Sequence, residues 1–257
     1  MSDIRTQVTT LSTGEFRVGR VISRAFEVLF HDFAKFVLVA LIALLPEALL
    51  ALMGGASAYL GPQSRPGVAA VVVGVLLFIL AFVFLFAISM AVTLYGAFQD
   101  MRGRPFNLGE AFARGLARFF PIIGLSICWT VAIGLGTILF VVPGFMMMAA
   151  FYVALPACVM EGLGPFSSMS RSAELTKGHR WKVFGIFILV GIVNAIVGSL
   201  INVVFALGAG ALGGVIAGLV WNVLATAYNS IAIAVMYHDL RVLKDGIDID
   251  RIAAVFD

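Results

Sequence analysis

Three histidines, His31, His179 and His238, stand in this chain of 257 residues, and two of them are followed at once by an aspartate, Asp32 and Asp239. Imidazole and carboxylate are common metal ligands, so a metal-dependent hydrolase is the first chemistry to weigh. No further acid-rich motif accompanies these pairs, and histidine is ordinary at the ends of apolar segments, so no metal site is assigned. Cys128 and Cys158 are too few, and too deep in apolar sequence, for a disulfide framework or a metal knot; free buried thiols are expected. Gly208, Gly210 and Gly213 match the letters of a dinucleotide fingerprint but lack a preceding strand and a following acid. Turn formation, with close helix packing at Gly210, Gly214 and Gly218, explains them better. No catalytic residue and no cofactor is expected.

What remains is polar chemistry in apolar surroundings. Glu47 lies 11 residues beyond Phe36, roughly 16 Å into a helical crossing and near its midplane. A charge there costs about 2.5 to 3.5 kcal/mol, and no Lys or Arg lies in any apolar run to pair with it. Either Glu47 stays protonated or it faces a wet cavity. Asn194 sits at a comparable depth, and both residues lie 23 positions after an arginine, Arg24 or Arg171; Thr137 has the same offset from Arg114. Asn222, Thr226 and Asn229 are spaced i, i+4, i+7 and share one helix face. These five residues form a candidate polar pathway, with the carbonyl of Ile42, freed by Pro46, as an extra acceptor. The competing reading, favoured for the asparagines, is that amides and hydroxyls glue helices together at roughly 0.6 kcal/mol each.

The elements that must position them follow from charge. Residues 66–99, 119–160 and 183–237 contain no Asp, Glu, Lys, Arg or His. One crossing needs roughly 20 apolar residues. The fold class is therefore an all-α integral membrane protein, with no charged segment long enough for a separate soluble core. Six spans are predicted, near 36–60, 67–98, 121–140, 145–160, 183–206 and 212–236. The turn signal Val141-Val142-Pro143-Gly144 separates the third from the fourth, and the glycines around Gly210 separate the fifth from the sixth.

Of 17 basic residues, only Arg65 falls on the far side of that map. Arg5, Arg17, Arg20, Arg24 and Lys35 precede the first span, and Arg102, Arg104, Arg114 and Arg118 follow the second. Arg171, Lys177, Arg180 and Lys182 follow the fourth, and Arg241, Lys244 and Arg251 follow the sixth. Cytoplasmic loops retain Lys and Arg, so both termini and the tail 238–257 are expected on the cytoplasmic side of an inner membrane. The positive charge then faces anionic lipid, and nucleic acid binding need not be invoked.

Each pair of spans is preceded by a short amphipathic segment, near 16–33, 105–119 and 164–178, and the three align on Arg24, Arg114 and Arg171. Phe16-Arg-Val-Gly and Phe106-Asn-Leu-Gly open the first two in the same way; the third is more diverged. Six transmembrane helices thus read as three hairpins, each introduced by a cytoplasmic interfacial helix. Each hairpin ends in an acid, Asp100, Glu161 or Asp239, and the three acids are expected to pair with the three arginines, against a reading as solvated charges.

Leu155-Pro156, Glu161-Gly162, Arg171-Ser172, Leu175, Lys177-Gly178 and Trp181, with Tyr237-His-Asp239-Leu-Arg241, resemble the glycerophosphoryl diester phosphodiesterase membrane-domain family. The resemblance implies a six-span bacterial membrane module; the phosphodiesterase barrel joined to it in some members has no room here, and its activity is not inherited. The expected role is a non-enzymatic, lipid-interacting scaffold or membrane-homeostasis factor, with room for a membrane-protein partner or a second copy. A transporter or channel for a small solute or lipid using Glu47 ranks second, and a membrane enzyme third.

Overall fold

The computed structural model describes residues 16–60, 68–139 and 141–245. Most of these residues are helical, with no strand among them. In chain order the helices are α1 Val18–His31, α2 Phe33–Leu60, α3 Val68–Met101, α4 Leu108–Ala117, α5 Phe119–Leu139, α6 Val141–Phe151, α7 Ala154–Met160 and α8 Pro165–Thr176. They are followed by α9 Arg180–Gly210 and α10 Leu212–Asp245. Five stretches are long and apolar enough to cross a membrane, lying in α3, α5, α6 with α7, α9 and α10. A sixth is reached when Val18–His31 and Phe33–Leu49, bent by 95° at their junction, count as one span.

The junction at Asp32 shows how the chain turns without breaking. Its carbonyl accepts from the N–H groups of Lys35 at 3.0 Å and Phe36 at 3.2 Å, so the end of α1 serves as the start of α2. In α1, Val21, Ala25, Val28 and Leu29 are buried and share one face, as a 3.6-residue period demands. Asn107 caps α4 by accepting from Gly109 N–H at 3.0 Å and Glu110 N–H at 3.3 Å, which satisfies donors that the first turn leaves open.

Each short helix packs on the long helix before it: α4 on α3, α8 on α6 and α7. The first closes on the last. α1 lies against α9 and α10, where Tyr228 donates to the Ile22 carbonyl at 3.5 Å and its ring meets that of Phe26 at 4.5 Å. The buried core runs through this closure, with Phe36, Leu94, Leu175, Ile231, Tyr237 and Leu240 fully enclosed.

Three boundaries depart from the expected ones. Val141-Val142-Pro143-Gly144 is not the turn but the first turn of α6, where proline is tolerated because its missing N–H has no intrahelical partner in any case. Gly136 and Gly144 face each other there; a methyl group on Gly144 would sit 2.9 Å from Thr137 Cα. The fourth span is not continuous, since the helix breaks at Tyr152 and Val153. Pro156 accounts for it, having no N–H for Tyr152 and a ring that crowds that carbonyl. The last helix does not end at Met236 but continues to Asp245. The rest of the tail, with Arg251, and the loop bearing Arg65 lie outside the described residues. The break between α9 and α10 falls at Gly210, with φ of 74°, inside the expected glycine cluster.

Gly162 carries the junction of α7 and α8. Its φ is 71°, and a methyl group would run into the Arg118 guanidinium. Gly162→Ala should therefore lower the unfolding free energy by at least about 1 to 2 kcal/mol, the cost of a left-handed residue with a Cβ. Gly19→Ala in α1 meets no atom within 4 Å and should raise stability by roughly 0.5 to 1 kcal/mol. Both are measured by circular dichroism during unfolding from detergent micelles.

Candidate functional site

Three cations tie the short-helix segments into a closed ring. Lys35 Nζ, at the start of α2, donates to the carbonyl of Phe106 at 3.0 Å, just before α4. Arg118 Nη1, at the end of α4, donates to the carbonyl of Gly162 at 2.8 Å, just before α8. Lys182 Nζ, at the start of α9, donates to the carbonyl of Phe16 at 3.2 Å, just before α1. Phe16 and Phe106 are themselves buried. Phe106 stacks on Phe36 at 5.0 Å and fills the space over Gly96, where a methyl group would approach within 2.5 Å of its ring.

Beside the ring, Glu161 and Arg171 form a hub. Arg171 Nε donates to both Glu161 carboxylate oxygens at 3.1 Å. Its Nη2 donates to Asp245. Tyr237 donates its hydroxyl to Glu161 Oε1 at 2.5 Å, and Arg241 Nε lies 3.6 Å from Asp245 and 3.9 Å from Glu161. Burial alone would lower the Arg171 guanidinium, but the hydrogen bonds it donates to Asp245 and Glu161 outweigh it and push its pKa up. Ser172 and Thr176, further along α8, donate to the carbonyl of Ala150 at 2.7 and 3.2 Å, one of those left open where α6 ends.

The structure brings together two of the three acid and arginine pairs expected at the helix ends: Arg171 with Glu161, and Arg24 with Asp239 at 3.4 Å. Asp100 and Arg114 do not pair. Asp100 takes His31, while the Arg114 guanidinium lies over the Tyr95 ring at 5.1 Å. Tyr95 donates to Glu110, which also accepts from Gln99 at 3.1 Å. Tyr95 thus lies between Glu110 and Arg114, which stand one turn apart on α4.

His31, Asp32 and Asp100 place ligand-type atoms within 4.8 Å of one another, with Lys35 Nζ 2.8 Å from Asp32. His31 and Asp32 are among the metal ligands weighed in the sequence, Asp100 is not, and the other two histidines do not join them: His238 Nδ1 lies 3.6 Å from its neighbour Asp239, and His179 packs edge-on against Phe16.

The five intramembrane polar residues do not converge on one site. Asn222 Nδ2 donates to Glu47 Oε1 at 3.4 Å and borders a groove of about 590 Å³ with Ser199, Asn202 and Trp221. Asn229 lines a separate cavity of about 510 Å³ with Trp129, Thr130 and Tyr152. Asn194 borders both, and Thr226 borders neither. The shared helix face was real, but seven residues advance about 10 Å along the axis, which puts Asn222 and Asn229 at different depths.

Sequence reasoning missed Asp245, which belongs to a helical turn beyond the last apolar run, and it missed the ring cations. A signal for two of them exists: Lys35 and Lys182 both stand 11 positions after their arginine, Arg24 or Arg171.

Residues 107–240 match a family described as domain of unknown function DUF7847, just over half of the chain. The chain belongs to that family. The DUF7847 match runs from the cap of α4 to Leu240, so it contains Glu161, Arg171 and Tyr237 of the hub, though not Arg241 or Asp245, and two of the three ring cations, Arg118 and Lys182. No curated protein and no solved structure matches the chain. The DUF7847 description assigns no activity, and it does not bear on the phosphodiesterase membrane-domain resemblance.

The hub is tested by a double-mutant cycle. Glu161→Gln and Arg171→Met should each destabilise by about 1.5 to 3 kcal/mol, the range for hydrogen bonds to charged groups. The double variant should cost less than their sum by about 0.5 to 3 kcal/mol; strict additivity in detergent unfolding would refute the pairing. A second test uses His179, whose pKa is lowered by burial and by nearby Lys182 and Lys244. A histidine held neutral supports the fold fully above its ordinary value of 6.5, and this support is lost as pH falls below it. The melting temperature should drop between pH 7.5 and 5, and His179→Phe should flatten that drop.

Proposed function

We propose that this protein is a multi-pass inner-membrane scaffold that holds anionic lipid and catalyses no reaction. In this reading six spans form three hairpins with both termini cytoplasmic, and α1, α4 and α8 are amphipathic helices lying in the cytoplasmic interface. One observation carries it. Each short-helix segment exposes large apolar side chains beside cations: Phe30 is 67% exposed, Phe120 82%, Phe166 77% and Trp181 72%. Water would disfavour such a surface, whereas an anionic bilayer rewards it twice, through apolar insertion and through charge.

Charged groups near the helix ends support the same reading, because several of them pair with one another. Glu161, Arg171, Asp245 and Arg241 form one network, and Arg24 holds Asp239. A hydrolase would need a carboxylate or imidazole directed at a substrate. The resemblance to the phosphodiesterase membrane-domain family points to the same architecture, and the three hairpins read as a repeat.

Arg20, Arg102, Arg104 and Lys177 are exposed cations whose attraction to anionic headgroups is about 1 kcal/mol each. Native mass spectrometry of protein released from nanodiscs of phosphatidylglycerol and phosphatidylcholine should show retained lipid enriched in phosphatidylglycerol. Changing the four residues to Gln should bring the ratio to that of the bilayer. Retention by the unaltered protein in the bulk ratio would refute the reading.

A further inference from the structure

The cavity shared by α3, α5, α6, α7, α9 and α10 contains polar groups that the scaffold reading does not use. Its volume is about 510 Å³, and its polar members are Ser126, Trp129, Thr130, Tyr152, Asn194 and Asn229, set in an otherwise apolar wall. Asn194 lies 11 residues past Val183 and Asn229 lies 8 before Tyr237, so both amides sit roughly 12 to 16 Å inside the hydrocarbon layer. Ser126 donates to the carbonyl of Ile122 at 2.9 Å. Asn194, Asn229, Thr130 and Tyr152 have no side-chain hydrogen bond to the protein among the described residues.

That combination is unusual for residues that merely hold helices together. Amides that join helices do so by bonding across the interface, and polar groups in hydrocarbon are disfavoured unless they are partnered. Here donors from three helices, Thr130 on α5, Asn194 on α9 and Asn229 on α10, border one cavity instead. A largely apolar pocket of this size with a few convergent polar groups is the form a small-molecule site takes.

The lining also selects the ligand. No Lys, Arg or His borders the cavity, so an anionic phosphate would be carried into hydrocarbon with no cation to meet it. Hydroxyl and carbonyl groups, in contrast, match amide and phenol hydrogen bonding without charge. We propose that this cavity binds a neutral lipid bearing a hydroxyl or ester carbonyl head, of the diacylglycerol class, with Asn194 and Asn229 holding the head. The site lies apart from the cation-bearing short helices and goes beyond the scaffold reading.

Trp129 lines the cavity and serves as its reporter. A protein carrying Trp181→Phe and Trp221→Phe keeps Trp129 alone and is reconstituted into phosphatidylcholine vesicles. Brominated diacylglycerol should then quench its fluorescence about fivefold more strongly, at equal mole fraction, than brominated phosphatidylcholine or phosphatidylglycerol, as expected for hydrogen bonds made by one head and not the others. Asn194→Leu with Asn229→Leu should remove that preference while the melting curve stays in place. Equal quenching by the three lipids in the single-tryptophan protein overturns the proposal whether or not the leucine variant folds, and so does a preference that survives both changes. A sister protein keeping only Trp181, at the start of α9, reports the interface instead. Loss of its preference for brominated phosphatidylglycerol would count against the scaffold reading and leave the Trp129 result standing.

Discussion

Backbone carbonyls exposed by broken helices must find donors where water is scarce, and this requirement shapes the end of the bundle where the short helices gather. In a continuous span every carbonyl is satisfied within the helix, but each turn into or out of a short helix leaves several open. The carbonyls of Phe16, Phe106 and Gly162 are met by Lys182, Lys35 and Arg118, each reaching from the preceding segment in the cycle. Hydrogen bonds from charged donors contribute about 1.5 to 3 kcal/mol each. Three of them amount to a large share of the 5 to 15 kcal/mol by which domains are typically stable. Because the third bond runs from α9 back to Phe16, two residues before α1, the ring closes only when α1, α4, α8 and α9 have all assembled.

The Glu161 hub supplies what the carbonyl bonds cannot, a choice of partner. Lysine donates to any exposed carbonyl, whereas Arg171 presents a planar fork to Glu161 and a second edge to Asp245, a geometry that few arrangements satisfy. Buried ion pairs are weak evidence of net stability, since desolvation offsets the attraction. Their mutual arrangement does fix which helices meet: Glu161 from the end of α7, Arg171 from α8, and Tyr237, Arg241 and Asp245 from α10. Arg24 with Asp239 repeats the arrangement between α1 and α10. Between α3 and α4 it is replaced by neutral and mixed contacts, Tyr95 with Glu110 and Gln99 with both Glu110 and Asn107.

Much of this architecture was legible because hydrocarbon imposes a coarse rule. Charge-free runs located the long helices, and the helix break fell at Gly210 because glycine alone takes a positive φ without strain. The missed features are those for which hydropathy is silent. Helical hydrogen bonding does not stop where charge begins, so α10 continues past Tyr237 and delivers Asp245 to Arg171. Pro156 interrupts a segment whose composition is uniformly apolar. The ring acceptors are backbone atoms, which carry no residue signature. For the polar residues, face was legible and depth was not: a spacing of seven aligns Asn222 with Asn229 around the helix while separating them along it, so Glu47 meets one and the inner cavity the other.

Charge and depth together divide the molecule into two kinds of surface. The described Lys and Arg residues stand in the short helices, beside them or at the ends of the long ones, and the cavity around Asn194 and Asn229 is lined without any. A cation moved to that depth would face a cost of several kcal/mol, or snorkel away along its own stem. In the proposed arrangement the rim favours anions and the interior favours neutral hydrogen-bonding groups, and a hydrocarbon layer between them would keep the two preferences apart. Among the described residues Glu47 is the carboxylate that tests this division. Its contact with Asn222, an amide able to donate to the acid in either protonation state, lets it sit beside the outer groove without requiring a cation for company.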